Sequence, residues 1–158
     1  MEQSIRVGVS AVIVRHEAIL LVKFDDEPTG PHYNLPGGGV ELGETLEKAL
    51  HREVMEECAG EIEVGPLLLV GEYVPERENY LYGPQHSLRL IFRCTLREGS
   101  KPCLPAQPDP NQVGVEWVPL AQLAQTPLIP KFLRHLLPEI HTREINPWRV
   151  VGDTIVRA

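Results

Sequence analysis

A chain of 158 residues, 42% hydrophobic and 23% charged, has the size and balance of one globular domain that buries its own core, not of a disordered or membrane-embedded chain. Its formal net charge of −7 argues against a broad basic surface for nucleic acid, because such binding rests on neutralising phosphates; a phosphate-rich ligand would need a cation beside it. The first ten residues lack the basic-then-apolar order of a leader and no apolar run is long enough to span a bilayer, so a cytoplasmic location without membrane contact is expected.

Residues 7–14 and 18–23 are apolar, β-branched runs separated by Arg15, His16 and Glu17, which predicts an opening hairpin. Residues 25–33 are polar with Pro28, Gly30 and Pro31 and read as a loop, followed by the cluster Gly37-Gly38-Gly39. Residues 45–58 contain no Gly or Pro and place Leu46, Leu50, Val54 and Cys58 four apart with Ala49 alongside, an amphipathic helix with Thr45 as N-cap and Gly60 as terminator. Strands are expected at 67–74, 87–96 and 113–118, and short helices at 121–124 and 131–137. Residues 99–111 are proline-rich and read as a surface loop. The fold class is therefore α+β with a mixed sheet, organised as one domain over 1–140 and a tail over 141–158 that could add an edge strand at 150–156. Cys58, Cys94 and Cys103 show neither CxxC spacing nor a nearby His at zinc-site intervals and are expected to be plain thiols.

Glu53, Glu56 and Glu57 stand at i, i+3 and i+4 of the predicted helix, converging on one side roughly opposite the Leu46, Leu50, Val54 stripe. Three like charges so close are either a solvated acidic face or a cation site. The glycines upstream allow main-chain groups to approach a ligand, and Gly43-Glu44 leads directly into the helix, a combination suited to a hard cation carrying phosphate. A tight turn without a ligand is the competing reading of the glycines.

Gly38, five residues, Glu44, seven residues, then Arg52-Glu53-Val54-Met55-Glu56-Glu57 resembles the Nudix box of the Nudix hydrolases. Ala59-Gly60 departs from the family's usual Gly followed by an aliphatic residue. Tyr33-Asn34-Leu35-Pro36 and Glu116-Trp117-Val118-Pro119-Leu120 also look like the family, so the resemblance spans most of residues 5–137. It implies an α/β/α sandwich around a mixed sheet. It also implies a Mg2+ or Mn2+ site made by Glu53, Glu57, Glu56 and the Gly38 carbonyl, which would lower the pKa of an attacking water and neutralise a diphosphate. Arg52 and Glu44 would pair to orient the loop against the helix. Where many members carry a loop glutamate, this chain has Asp109-Pro110-Asn111-Gln112, which leaves Glu56 as first choice of base and Asp109 as the alternative.

Substrate contacts are sought among Arg89, His86 and Tyr33, with Gly37 and Gly39 at the phosphates and Arg77, Tyr80 and Tyr82 as further candidates. The expected activity is hydrolysis of a phosphoanhydride in a small molecule, either a nucleoside diphosphate linked to another moiety or a nucleoside triphosphate. A nucleotide-sensing domain without catalysis, and a merely structural cation site, are the competing classes. A homodimer is the default assembly.

Overall fold

The computed structural model describes residues 4–142, 148–151 and 154–156. Strands β1 (Arg6–Arg15) and β2 (Ala18–Asp26) form the opening hairpin, and its two-residue turn takes His16 and Glu17 to φ of 51° and 58°. Both turn residues at positive φ match the twist of the flanking strands. The pair separates after Val14↔Ile19 and Arg15↔Ala18. The two strands then recruit different neighbours.

Along β2 lie β3 (Gly30–Asn34) and, on its other edge, β7 (Gln112–Pro119), both antiparallel. Along β1 lie β4 (Gly37–Gly39), antiparallel, and β6 (Ser87–Leu96), parallel. Strand β5 (Ile62–Tyr73) pairs antiparallel with β6. Beyond it, β8 (Trp148–Val151) runs parallel to β5 and β9 (Thr154–Val156) closes the edge. Among the described residues the sheet thus has nine strands, with the main path β3-β2-β1-β6-β5-β8-β9.

Alternation along β1 sorts side chains between two cores. Val9, Ala11 and Ile13 face helix α1 (Leu46–Cys58) and pack with Ala49, Leu50, Val54 and Cys58. Val12 faces the other way, with Ile19, Leu21 and Leu69, against a 3-10 turn (Leu120–Gln125) and helix α2 (Leu133–Ile140), through Leu123, Leu133, Leu136 and Leu137. A mixed sheet between these layers is the α/β/α sandwich. No helix among the described residues is long and apolar enough to cross a membrane.

The structure departs from the sequence reading in local elements. Residues 25–33 are not a loop: β2 continues to Asp26 and β3 returns beside it, with His32 buried and stacked on Phe24 at 5.8 Å. The glycines are a strand because β1 offers them a ladder, Val9↔Gly38 at its centre. Strand β5 starts five residues early and its register slips between Val64 and Leu67, where Pro66 cannot donate to the ladder. The expected helix at 121–124 is the 3-10 turn, and α2 runs later than 131–137. The expected edge strand at 150–156 falls partly on residues 152–153, outside the described residues, with β8 and β9 on either side. Cys58 and Cys94 are buried free thiols and Cys103 is exposed. Burial raises the Cys58 thiol pKa and pushes that of Cys94 up to about 12, which suits inert core residues.

Candidate active site

Helix α1 begins where the Thr45 hydroxyl accepts from the Lys48 N–H at 3.2 Å, and its i, i+4 row Ala49, Glu53, Glu57 faces β4. Glu53 and Glu57 are 9% and 6% exposed, whereas the Glu56 side chain is 56% exposed. The three carboxylates therefore do not share one solvated face: two are driven into the junction of helix and sheet, and the third points outward.

Glycine is what makes room for them. A Cβ at Gly38 would overlap the Glu53 carboxylate, and the Gly37 N–H donates to Glu57 Oε2 at 2.9 Å. Arg52 locks the other side of the loop. Its Nε and Nη2 fork onto Glu44 at 2.8 and 2.9 Å, Nη2 also donates to the Gly39 carbonyl at 2.9 Å, and Nη1 reaches Glu53 at 2.8 Å and Glu56 at 3.3 Å. Glu44 in turn accepts from the Glu41 N–H at 3.0 Å. The guanidinium holds the Glu44 carboxyl down at about 2, and Glu44 and Glu53 raise the affinity of Arg52 for its proton. Arg52 and Glu44 thus form the orienting pair, and the i+4 contact of Arg52 with Glu56 is the weakest member of the set.

The buried pair is electrostatically unsettled. Burial pushes the Glu57 carboxyl up to about 8, with the charges of Glu53 and Asp109 adding to the rise, while the Gly37 N–H and Arg89 oppose it. Burial also raises Glu53, against the pull of Arg52. Two desolvated carboxylates that repel each other, beside main-chain oxygens, are the donor set a hard divalent cation relieves. Among the described residues no three Asp, Glu, His or Cys side chains form a ready-made metal cluster. The pair fits a cation such as Mg2+, which keeps several waters and draws further ligands from its substrate.

Other expected residues divide. Asp109, exposed on the loop before β7, is close enough to raise both Glu53 and Glu57. Gln112 is buried and structural: its amide donates to the Glu57 carbonyl at 2.6 Å and its Oε1 accepts from the Asp109 N–H at 3.3 Å. Arg89 reaches the glycine strand, donating to the Val9 and Gly38 carbonyls at 3.3 and 3.4 Å. His86 instead contacts Glu72 at 3.2 Å. The Tyr33 hydroxyl donates to Glu116 at 2.7 Å and lines a separate open cleft of about 460 Å³ with Gln122, Gln125 and Thr126. Tyr82 packs edge-on against Tyr73 at 5.6 Å and Tyr80 is exposed. Arg6, which no motif singles out, lies against Gly39; its one sequence signal is parity with Gly8 on β1.

The chain is similar to known proteins in sequence and in fold. A solved MutT NUDIX hydrolase from Burkholderia pseudomallei is 28% identical, with a TM-score of 0.59 over 75% of this chain and 85% of that one. A NUDIX hydrolase from Nitrosomonas europaea shares the fold at a TM-score of 0.69 and 19% identity, covering 96% of this chain and 80% of that one. An ADP-ribose pyrophosphatase from Methanocaldococcus jannaschii is 45% identical over 51 residues, a match spanning 32% of this chain and 30% of the relative. The model of the NUDIX domain matches residues 4–140, and the chain belongs to that family.

Proposed function

We propose that this protein hydrolyses a phosphoanhydride bond in a nucleoside diphosphate linked to another moiety, or in a nucleoside triphosphate, as a cytoplasmic enzyme using Mg2+ or Mn2+. The observation that carries this reading is the buried, mutually repelling Glu53–Glu57 pair pressed against a glycine strand. Few structural roles reward such a pair; holding a divalent cation for a phosphate substrate would.

Glu53 and Glu57 would hold the cation, with Glu56 and the Gly38 carbonyl at its margin. A bound divalent cation neutralises the diphosphate and activates water for attack. The residues of the chain supply the rest. Arg52, clamped on Glu44 and the Gly39 carbonyl, fixes the loop against the helix so that the carboxylates keep their aim. Gly37 and Gly39 let phosphate oxygens approach the main chain. Two carboxylates compete for the proton of water. Glu56 is turned outward onto Arg52 and its charge reaches Glu53, whereas the charge of Asp109, from its loop, reaches both Glu53 and Glu57, and on that ground Asp109 is taken here as the acceptor.

The test is turnover of a panel of nucleotide sugars, ADP-ribose, nucleoside triphosphates and dinucleoside polyphosphates, with Mg2+ or with chelator, beside Glu57→Gln. ADP-ribose leads the panel because the archaeal relative is named for it. Metal-dependent release of nucleoside monophosphate, phosphate or pyrophosphate that collapses in Glu57→Gln supports the proposal. No cleavage, with one compound raising the melting temperature, would replace it with a nucleotide-sensing role.

A further inference from the structure

Strand β4 has a second charged flank. A Cβ built on Gly39 would stand 2.9 Å from Arg6 Nη2 and 3.2 Å from Arg6 Nε; one on Gly8 would stand 2.9 Å from Arg89 Cζ and 3.0 Å from its Nη1. Each guanidinium therefore lies on bare glycine backbone, in space that any side chain would fill. The registers Gly8↔Gly39 and Gly8↔Arg89 put these groups side by side on three neighbouring strands, and Arg6 and Gly8 share the face of Val12, away from α1.

Neither arginine sits in an ion pair. The chain carries 22 acids, yet among the described residues no carboxylate lies within ion-pair distance of Arg6 or Arg89. Arg89 is half-buried and spends one nitrogen on two long contacts to main-chain carbonyls, whereas Arg52, across the strand, satisfies its fork on Glu44, Glu53 and Gly39. Two guanidiniums held together without an anion are costly unless an anion bridges them, and their planar forks match phosphate oxygens.

We propose that Arg6 and Arg89 form an anion clamp for a substrate phosphate other than the one beside the Glu53–Glu57 cation, on the face of β4 turned away from α1. As an assignment of the substrate's second phosphate this rests on the hydrolase reading, but the clamp itself needs no metal. Arg6 is exposed, so its removal leaves the fold intact.

The experiment is calorimetric titration with inorganic pyrophosphate in chelator, using wild type and the double variant Glu53→Gln/Glu57→Gln, which lacks the repelling carboxylates. In the double variant pyrophosphate binds; adding Arg6→Ala weakens it about tenfold, the scale of one lost charge-assisted hydrogen bond. Adding Arg89→Lys, which keeps the charge and loses the fork, also weakens it. With Mg2+ and a cleaved nucleotide, Arg6→Ala raises KM about tenfold and leaves kcat within about twofold. Absence of pyrophosphate binding in the double variant, or binding indifferent to Arg6→Ala, overturns the clamp even if the panel is hydrolysed. Arginine-dependent binding with no hydrolysis of any compound sustains the clamp and sinks the hydrolase reading.

Discussion

Ala59 ends helix α1 in a conformation that its side chain opposes. It sits at φ 51° and ψ 31°, its N–H donating to Met55 O at 3.0 Å. Left-handed backbone costs an L-residue about 1–2 kcal/mol, and a glycine replacement returns about 0.5–1 kcal/mol of that through the freedom it adds to the unfolded chain. Ala59→Gly should therefore stabilise the protein by about 0.5–1 kcal/mol, raising Tm by roughly 1–4 °C for a chain of this length. Gly60, which the sequence marks as terminator, is not in the left-handed region. A Cβ there would meet Val54 Cγ1 at 3.4 Å, Leu96 Cδ2 at 3.6 Å and Pro102 Cγ at 3.7 Å, which is ordinary contact. Gly60→Ala should stay within about 0.5 kcal/mol of wild type. Urea unfolding of the two variants measures both. If Gly60→Ala costs more than about 1 kcal/mol while Ala59→Gly changes nothing, the chain reverses at Gly60 and the strain assigned to Ala59 is absent.

The same buried carboxylates make further outcomes measurable. In chelator, Glu57 holds its proton in the folded state up to about 8 and loses it near 4.5 when unfolded, so stability is full below 4.5 and falls as pH rises through that window. Denaturant melts of Glu57→Gln should be flatter between these values than wild type, and a wild-type curve already flat would refute the burial penalty. Gly38→Ala must displace the Glu53 carboxylate and should cut kcat/KM roughly a hundredfold, because a shift of about 1 Å at a reacting centre costs that much; unchanged turnover would mean that Glu53 is not held there for catalysis. Asp109→Asn should lower kcat by about 10²-fold or more and Glu56→Gln far less, and the opposite order in steady-state assays returns the proton acceptor to Glu56.

How far the sequence foretold this follows from what each residue can see locally. The β1–β2 hairpin and α1 declare themselves through periodicity, since apolar runs and i+4 rows are set by the chain's own repeat. Strands β3 and β4 do not: one is polar, the other three glycines, and each exists because a neighbour offers its backbone a ladder. The acidic triplet is legible as a cluster but not as two buried residues and one exposed. The relevant row is Ala49, Glu53, Glu57, which continues a core position, while Glu56 follows Arg52 on the row facing out. Ala59 escapes a reading by residue type, because glycine is the usual left-handed residue and stands one place later.

Arg6 marks where local reading stops. Nothing about an arginine near the start of a strand suggests a ligand. Its position acquires meaning only when Gly8, Gly38 and Gly39 remove every side chain between it and the acids of α1. A side chain at any of the three would fill the space that Arg89, Glu53 or Arg6 now occupies. The glycines thus keep opposite charges on the two flanks of one thin strand: carboxylates that call for a cation on one, guanidiniums that call for an anion on the other. On the proposed reading, a substrate with more than one phosphate and its own divalent cation suits both flanks, and a chain of net charge −7 needs no basic surface to take it.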